Sequence, residues 1–227
     1  MTQYAASAYP LAGGLLSRIV GWTKRAAARL ARGLAVSCAT LCCIALAGCS
    51  GSPPNPNPLA NVPLKVTSVD LPRYMGRWYV VANIPYFAER GFVATRAEWV
   101  LRDDGRIDDH FYGRKGGFDQ PETHYQFLDS VVPGSEGGHW RVRLIWPIYV
   151  SQLTLYVDPD YRYTILGYPD KSLGWIFSRT PTIDDATYRS LLTRLEAMGY
   201  DSSRFRRVPQ LPEQLGLPGF ATPGQDN

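Results

Sequence analysis

Between Trp78 and Ser178 this chain of 227 residues is built from eight short strand-like runs, and that spacing limits its fold more than any other feature. The runs are Trp78–Ile84, Val93–Leu101, Arg106–Arg114, Glu122–Val132, His139–Trp146, Val150–Val157, Tyr161–Tyr168 and Leu173–Ser178. Turn residues separate them: Asp104-Gly105, Lys115-Gly116-Gly117, and the stretch from Pro133 to Gly138. Asp-Gly between alternating runs is a strong hairpin turn. Strands of this length joined by short turns form an up-and-down antiparallel barrel or a sandwich.

Alternation within the runs identifies the packed face. Val93, Thr95, Ala97, Trp99 and Leu101 share one side of the second run, opposite Ala94, Arg96, Glu98 and Val100. In the fifth, Trp140, Val142 and Leu144 oppose Arg141 and Arg143. A period of two with one apolar side means one face packs and the other meets water. After the strands comes one amphipathic helix, about 183–198, with Thr182 as N-cap and Asp185 completing an approximate capping box. Tyr188, Leu191, Leu192, Leu195 and Met198 lie on one helical face, and Gly199 ends it. Such a helix is expected to cover the outside of the sheet.

The ends of the chain have a different composition. Of its 24 Lys and Arg, five precede Cys49 with no acid among them, leaving 19 against all 20 acids from there on. The body is near-neutral with interspersed signs and has no electrostatic footprint for nucleic acid. Residues 1–48 read as a secretory leader, with a basic region ending at Arg32, an apolar core over 33–45, and small residues before Cys49. That core is shorter than the roughly 20 residues of a bilayer span. Leu46-Ala47-Gly48-Cys49 resembles the bacterial lipoprotein lipobox, which implies cleavage before Cys49 and lipidation of its sulfur and new amine. In that family Ser50 after the cysteine implies delivery to the outer membrane. Residues 49–63 are then the lipidated Cys and a Pro/Asn/Ser linker, 64–208 the folded body, and 209–227 a mobile tail rich in Pro and Gly. All four cysteines lie at or before Cys49, so the body needs its core alone. A domain of about 150 residues buries about 70% of its chain surface, enough for that.

Three segments carry a family resemblance. Gly76-Arg77-Trp78-Tyr79 opens the first strand, Asp158-Pro159-Asp160-Tyr161 turns between the sixth and seventh, and Trp175-Ile176-Phe177-Ser178-Arg179-Thr180-Pro181 leaves the eighth. In this order they resemble the signature regions of lipocalins, over about Val69 to Val208, and especially the lipid-anchored bacterial members. Pro159, and Val80 where many relatives carry an acid, depart from the pattern. The resemblance implies an all-β, eight-stranded up-and-down antiparallel β-barrel with the C-terminal helix packed outside. Closing eight strands leaves room for one small ligand. Gly76, Trp78 and Arg179 are then expected to close the barrel, the guanidinium lying over the indole.

Inward parity nominates Val80, Ala82, Ala97, Trp99, Trp140, Val142, Leu144, Tyr156, Leu173 and Trp175 as ligand-binding residues, with Trp99 and Trp140 toward the open end. Tyr86, Phe87 and Phe92 fall near the mouth. No nucleophile elbow, HExxH or metal-spaced cysteine set is present, and His110, His124 and His139 are scattered. Asp103-Asp104 and Asp108-Asp109 read as solvated turn charges. The expectation is a binding protein without metal or cofactor, not an enzyme. It would be anchored to the membrane by its N-terminal lipid at the bacterial outer membrane, on the periplasmic face. The resemblance implies fatty acids or lysophospholipids as ligands, with the polar head at the mouth. Two rivals stand beside it: a lipocalin-like enzyme acting on a lipid or isoprenoid, and an envelope interaction lipoprotein with a closed barrel. A homodimer is left open.

Overall fold

A computed structural model describes residues 55–223. The expected leader and lipidation site, Cys49, lie outside the described residues. The strands are β1 (Gly76–Asn83), β2 (Phe92–Leu101), β3 (Arg106–Lys115), β4 (Glu122–Val131), β5 (His139–Ile145), β6 (Ile148–Val157), β7 (Tyr163–Gly167), β8 (Gly174–Ser178) and a two-residue β9 (Arg206–Arg207). Each of the first eight pairs antiparallel with its sequence neighbour, and β1 pairs with both β2 and β8, so the sheet closes on itself. The register sets Gly76 opposite Trp99 and Tyr79 opposite Ser178.

Strict up-and-down order gives the barrel two unlike ends. The β2–β3, β4–β5 and β6–β7 turns share one end with α1 (Leu71–Tyr74), a single turn capped by the Asp70 side chain. The β1–β2, β3–β4, β5–β6 and β7–β8 connections share the other. Below, the first is the closed end and the second the open end.

The second helix, α2 (Asp185–Ala197), packs outside as expected. Its buried Leu191 and Leu195 join Leu155, Ile165 and Ile176 on the outer face of β6–β8. Its N-cap is Asp184 rather than Thr182: Asp184 Oδ1 accepts from Thr187 N at 2.8 Å and Oδ2 from Thr187 Oγ1 at 2.8 Å. Thr182 stands too early in the chain for this, and its carbonyl accepts instead from Thr180 Oγ1.

Both flanking segments are packed where the composition predicted freedom. In the linker, Asn57 Nδ2 donates to Glu196 O (2.7 Å) and Tyr200 O (3.0 Å), satisfying carbonyls at and beyond the end of α2. Lys171 Nζ, from the β7–β8 loop, donates to Leu59 O, Ala60 O (2.7 Å) and Val62 O. The chain therefore enters beside the open end. It then runs along the outer wall, where Thr67 N bonds Thr154 O and Val69 N bonds Glu136 O, each at 2.8 Å.

The segment after Val208 is likewise tied down. Ala94 has a left-handed φ of 52° and the β2–β3 register shifts between Val93 and Arg96. β1 and β2 are in register only over Gly76–Tyr79 and Arg96–Trp99. The returning chain fills the gap beyond: β9 pairs with Ala82–Asn83, Ala94 N donates to Pro209 O (2.8 Å), and buried Gln210 Nε2 donates to Val80 O (2.8 Å) and Thr95 O (3.0 Å). Backbone groups that the bulge leaves without a ladder partner are thus paired. Ala221 N still bonds Arg207 O at 2.8 Å, so this strap is held well beyond residue 209.

Candidate functional site

The closed end is filled by aromatic rings. Gly76 has φ +89°, a left-handed conformation that side chains rarely adopt, and this turn delivers Trp78 to the barrel interior, where it is fully buried. The indole N–H donates to Tyr74 O at 2.7 Å. Arg179 Cζ lies 3.8 Å from the centre of the Trp78 ring. Its guanidinium donates to Arg77 O (2.8 Å), Arg73 O (2.9 Å), Tyr74 O (3.2 Å) and Tyr161 O (3.3 Å). One planar fork therefore ties α1, the start of β1 and the β6–β7 turn together.

Above the Trp78 indole sits Tyr74, which sequence reasoning had not assigned to the core. Its ring centre lies 5.3 Å from Trp78, 5.2 Å from Trp99 and 5.8 Å from Trp140, and its hydroxyl bonds Thr164 Oγ1 at 2.8 Å. Trp140 also donates its indole N–H to Gly137 O in the β4–β5 turn. Trp140 is thus part of the floor, contrary to its expected place toward the open end, because β5 begins at the closed end. Trp99 forms the floor's upper surface for the same reason, being two residues from the end of β2.

Over Trp99 lies an inner chamber of ≈ 90 Å³. It brings together Val80, Ala97, Trp99, Val142, Leu144 and Trp175 from the expected set, along with Phe177. Tyr156 and Ala82 are not in it. A register shift between Thr154 and Tyr156 turns Tyr156 to the outer wall, where Arg194 of α2 lies 4.3 Å over its ring. A similar shift between Val80 and Ala82 puts Ala82 in the cluster under α2. Leu173 lies just before β8, in the β7–β8 connection, and packs against both clusters rather than lining the chamber. Toward the mouth the chamber widens into a vestibule of ≈ 470 Å³ with Phe87, Phe92, Phe111, Tyr125 and Phe127 on its walls. A separate hollow of ≈ 620 Å³ lies on the outer wall between residues 59–68 and the end of α2, remote from the barrel interior.

Three acids face inward that the sequence reading had not placed there. Glu89, from the β1–β2 loop, accepts from Asn83 Nδ2 (2.7 Å), Tyr86 Oη (3.1 Å) and Trp175 Nε1 (3.0 Å). Asp109, read above as a solvated turn charge, lines the chamber and accepts from Trp99 Nε1 at 2.9 Å. Asp129 is fully buried, and neither carboxyl oxygen has a hydrogen-bond partner among the described residues. Burial raises the pKa of all three, and the charge of neighbouring Asp109 raises that of Asp129 further. Burial also lifts the Tyr168 hydroxyl at the mouth to about 12. The histidines lie elsewhere: His110 Nδ1 and His124 Nε2 meet at 3.0 Å with their rings stacked beside Tyr112, and His139 bonds Ser151 Oγ.

A closed antiparallel barrel, sealed at one end and opening at the other through an aromatic chamber, defines a calyx-type protein. The chain belongs to the lipocalin family: residues 69–210 match the model of the Lipocalin-like domain. It is 30% identical over 178 residues to the Outer membrane lipoprotein Blc of Escherichia coli K12, covering 77% of this chain and 95% of that protein. It is 32% identical over 156 residues to Temperature-induced lipocalin-1 of Arabidopsis thaliana, covering 64% of this chain and 81% of that one. Among solved structures, apocrustacyanin A1 of lobster superposes with a TM-score of 0.51 at 20% identity, covering 67% of this chain and 92% of that one. At that identity the likeness speaks for the fold.

Proposed function

We propose that this chain is a lipid-anchored lipocalin of the bacterial envelope that holds a single-chain amphiphile in its calyx, fatty acids and lysophospholipids being the candidates. The observation that carries this reading is the chamber and vestibule at the open end. At ≈ 470 Å³ the vestibule falls within the 300–1,000 Å³ typical of small-ligand pockets, and its walls are largely aromatic. Each methylene taken from water there stabilises the complex by about 0.8 kcal/mol. The similarity to proteins named outer membrane lipoproteins supports the envelope location.

The open end also suits exchange with a lipid layer. Phe87, Ile145, Trp146 and Ile148 at its rim are 86%, 67%, 77% and 55% exposed.

Two measurements test the reading. Mass spectrometry of material extracted from the purified protein, with tryptophan-fluorescence titrations of fatty acids and lysophospholipids, is expected to show a bound amphiphile. Val142→Phe, which adds a ring to the inner chamber, should weaken binding about tenfold, the loss of about 1.4 kcal/mol. Binding of no lipid class would favour a closed barrel, and chemical turnover of a bound lipid would favour an enzyme. Separately, Cys49→Ala is expected to move the protein from the membrane to the soluble fraction on cell fractionation. Unchanged membrane association would refute the anchor.

A further inference from the structure

The inner chamber is aromatic and acidic together. Glu89 reaches it from the β1–β2 loop and Asp109 from β3. Asp129 follows from the register of β4: Phe127 lines the chamber and Val131 packs in the interior cluster, so the residue midway between them faces inward too. Trp99, Trp175, Phe177 and Tyr86 supply ring surfaces around these acids. The described lining of the chamber contains no lysine or arginine.

Apolar side chains of similar volume would usually make a more stable interior than carboxyls without a cation. Ring faces and carboxylates both attract positive charge, and aromatic cages are the usual receptors for quaternary ammonium groups. At ≈ 90 Å³ the chamber is about three times the ≈ 30 Å³ share of a water molecule, so it can take a small head group but not a long chain.

We propose that the inner chamber is a receptor for an ammonium group, and that the ligand is a single-chain amphiphile with a protonated or quaternary amine, seated head-inward with its chain in the vestibule. This rests on the binding reading above and reverses the orientation with the head at the mouth. Glu89, already fixed by Asn83, Tyr86 and Trp175, presents a positioned carboxyl. Asp109 has one oxygen held by Trp99 and the other free of any partner among the described residues. A fatty-acid carboxylate in the same place would instead face Glu89 and Asp109, with Asp129 buried behind them.

Proton linkage supports the assignment. Glu89, Tyr86 and Tyr168 line the chamber with Asp109, Asp129 lies beside Asp109, and burial raises the pKa of each; the one cation nearby, Lys115, lies on the vestibule wall with Glu89. A cation entering among them lowers the pKa values of the acids, so binding releases protons and tightens as pH rises.

The experiment compares decyltrimethylammonium, decanoate and decanol, below their aggregation concentrations, on the purified full-length protein. The cation is expected to bind at least tenfold tighter than either of the others. The Glu89→Gln, Asp109→Asn double variant should lose that preference while still binding decanol. Equal or tighter binding of decanoate or decanol, or an unchanged preference in the double variant, overturns the proposal while leaving the carrier reading standing. Binding of none of the three overturns both. As a check on the unaltered protein, calorimetry in two buffers of different protonation enthalpy should show proton release with the cation and none with decanol. Equal proton exchange for the two would also overturn it.

Discussion

Replacing Trp78 with alanine is expected to lower the unfolding midpoint by roughly 10 °C. The side chain is fully buried, stacks under the Arg179 guanidinium and bonds Tyr74 O. Truncating a buried aromatic of this size costs about 3–5 kcal/mol, and in a domain of this length each kcal/mol shifts the midpoint by about 2–4 °C. Arg179→Ala should have a comparable effect by a different route, since it leaves carbonyls of Arg73, Arg77 and Tyr161 without that donor. Arg179→Lys should recover only part of the loss, because a single ammonium cannot reproduce the planar fork. The double variant should be less destabilised than the sum, by about 0.5–2 kcal/mol, as the two side chains share one contact. A thermal melt of Trp78→Ala that matches the unaltered protein would remove the floor from this account.

Asp129→Asn is expected to act in the opposite direction, stabilising the protein at neutral and alkaline pH. Asp129 is buried without partners among the described residues and its pKa is raised, first by burial and then by Asp109. In the unfolded chain the same carboxyl titrates near the ordinary value of about 3.9. Below that value both states hold the proton and the residue carries no penalty from its charge. As pH rises, the unfolded state ionises first, and folded stability falls until the folded group also titrates. The amide does not titrate, so the advantage of the variant should be absent near pH 4 and grow toward pH 8. There it should reach on the order of 1–3 kcal/mol. Urea midpoints at the two pH values measure this directly. A variant less stable than the parent at pH 8 would show that Asp129 has a compensating partner. An acid that weakens the fold and lies beside the chamber-lining Asp109 is what a ligand-binding role would leave behind.

Much of the fold was legible because it depends on local pattern. Each of the eight runs became a strand, since alternation with a period of two and Gly-rich turns are properties of neighbouring residues. Parity also points Asp109 inward. Asp109 stands between Ile107 and Phe111 on the inner side of β3. Its alternation pointed inward, but its closeness to the Asp-Gly turn suggested solvent. Tyr156 and Ala82 illustrate the reverse: their parity was right for an unbroken strand, and a register shift in each strand turned them outward. The floor position of Trp140 follows from counting hairpins, because every strand that begins after an even-numbered strand begins at the closed end.

By itself the sequence determined the number and order of strands, the amphipathic helix, and the pairing of Trp78 with Arg179 across about a hundred residues of chain. These rest on periodicity, turn chemistry and a family signature in which a flat cation lies over a flat ring. The tertiary structure alone decided where β1 and β2 part and Gln210 enters between them, and how the linker straps onto α2. It also decided that Glu89 from a loop and Asp109 from a strand line one aromatic chamber, with Asp129 buried beside Asp109. The reason is physical: bulges, barrel closure and convergence are set by partners distant in sequence, and no local period encodes which residues will meet when a sheet curls onto itself.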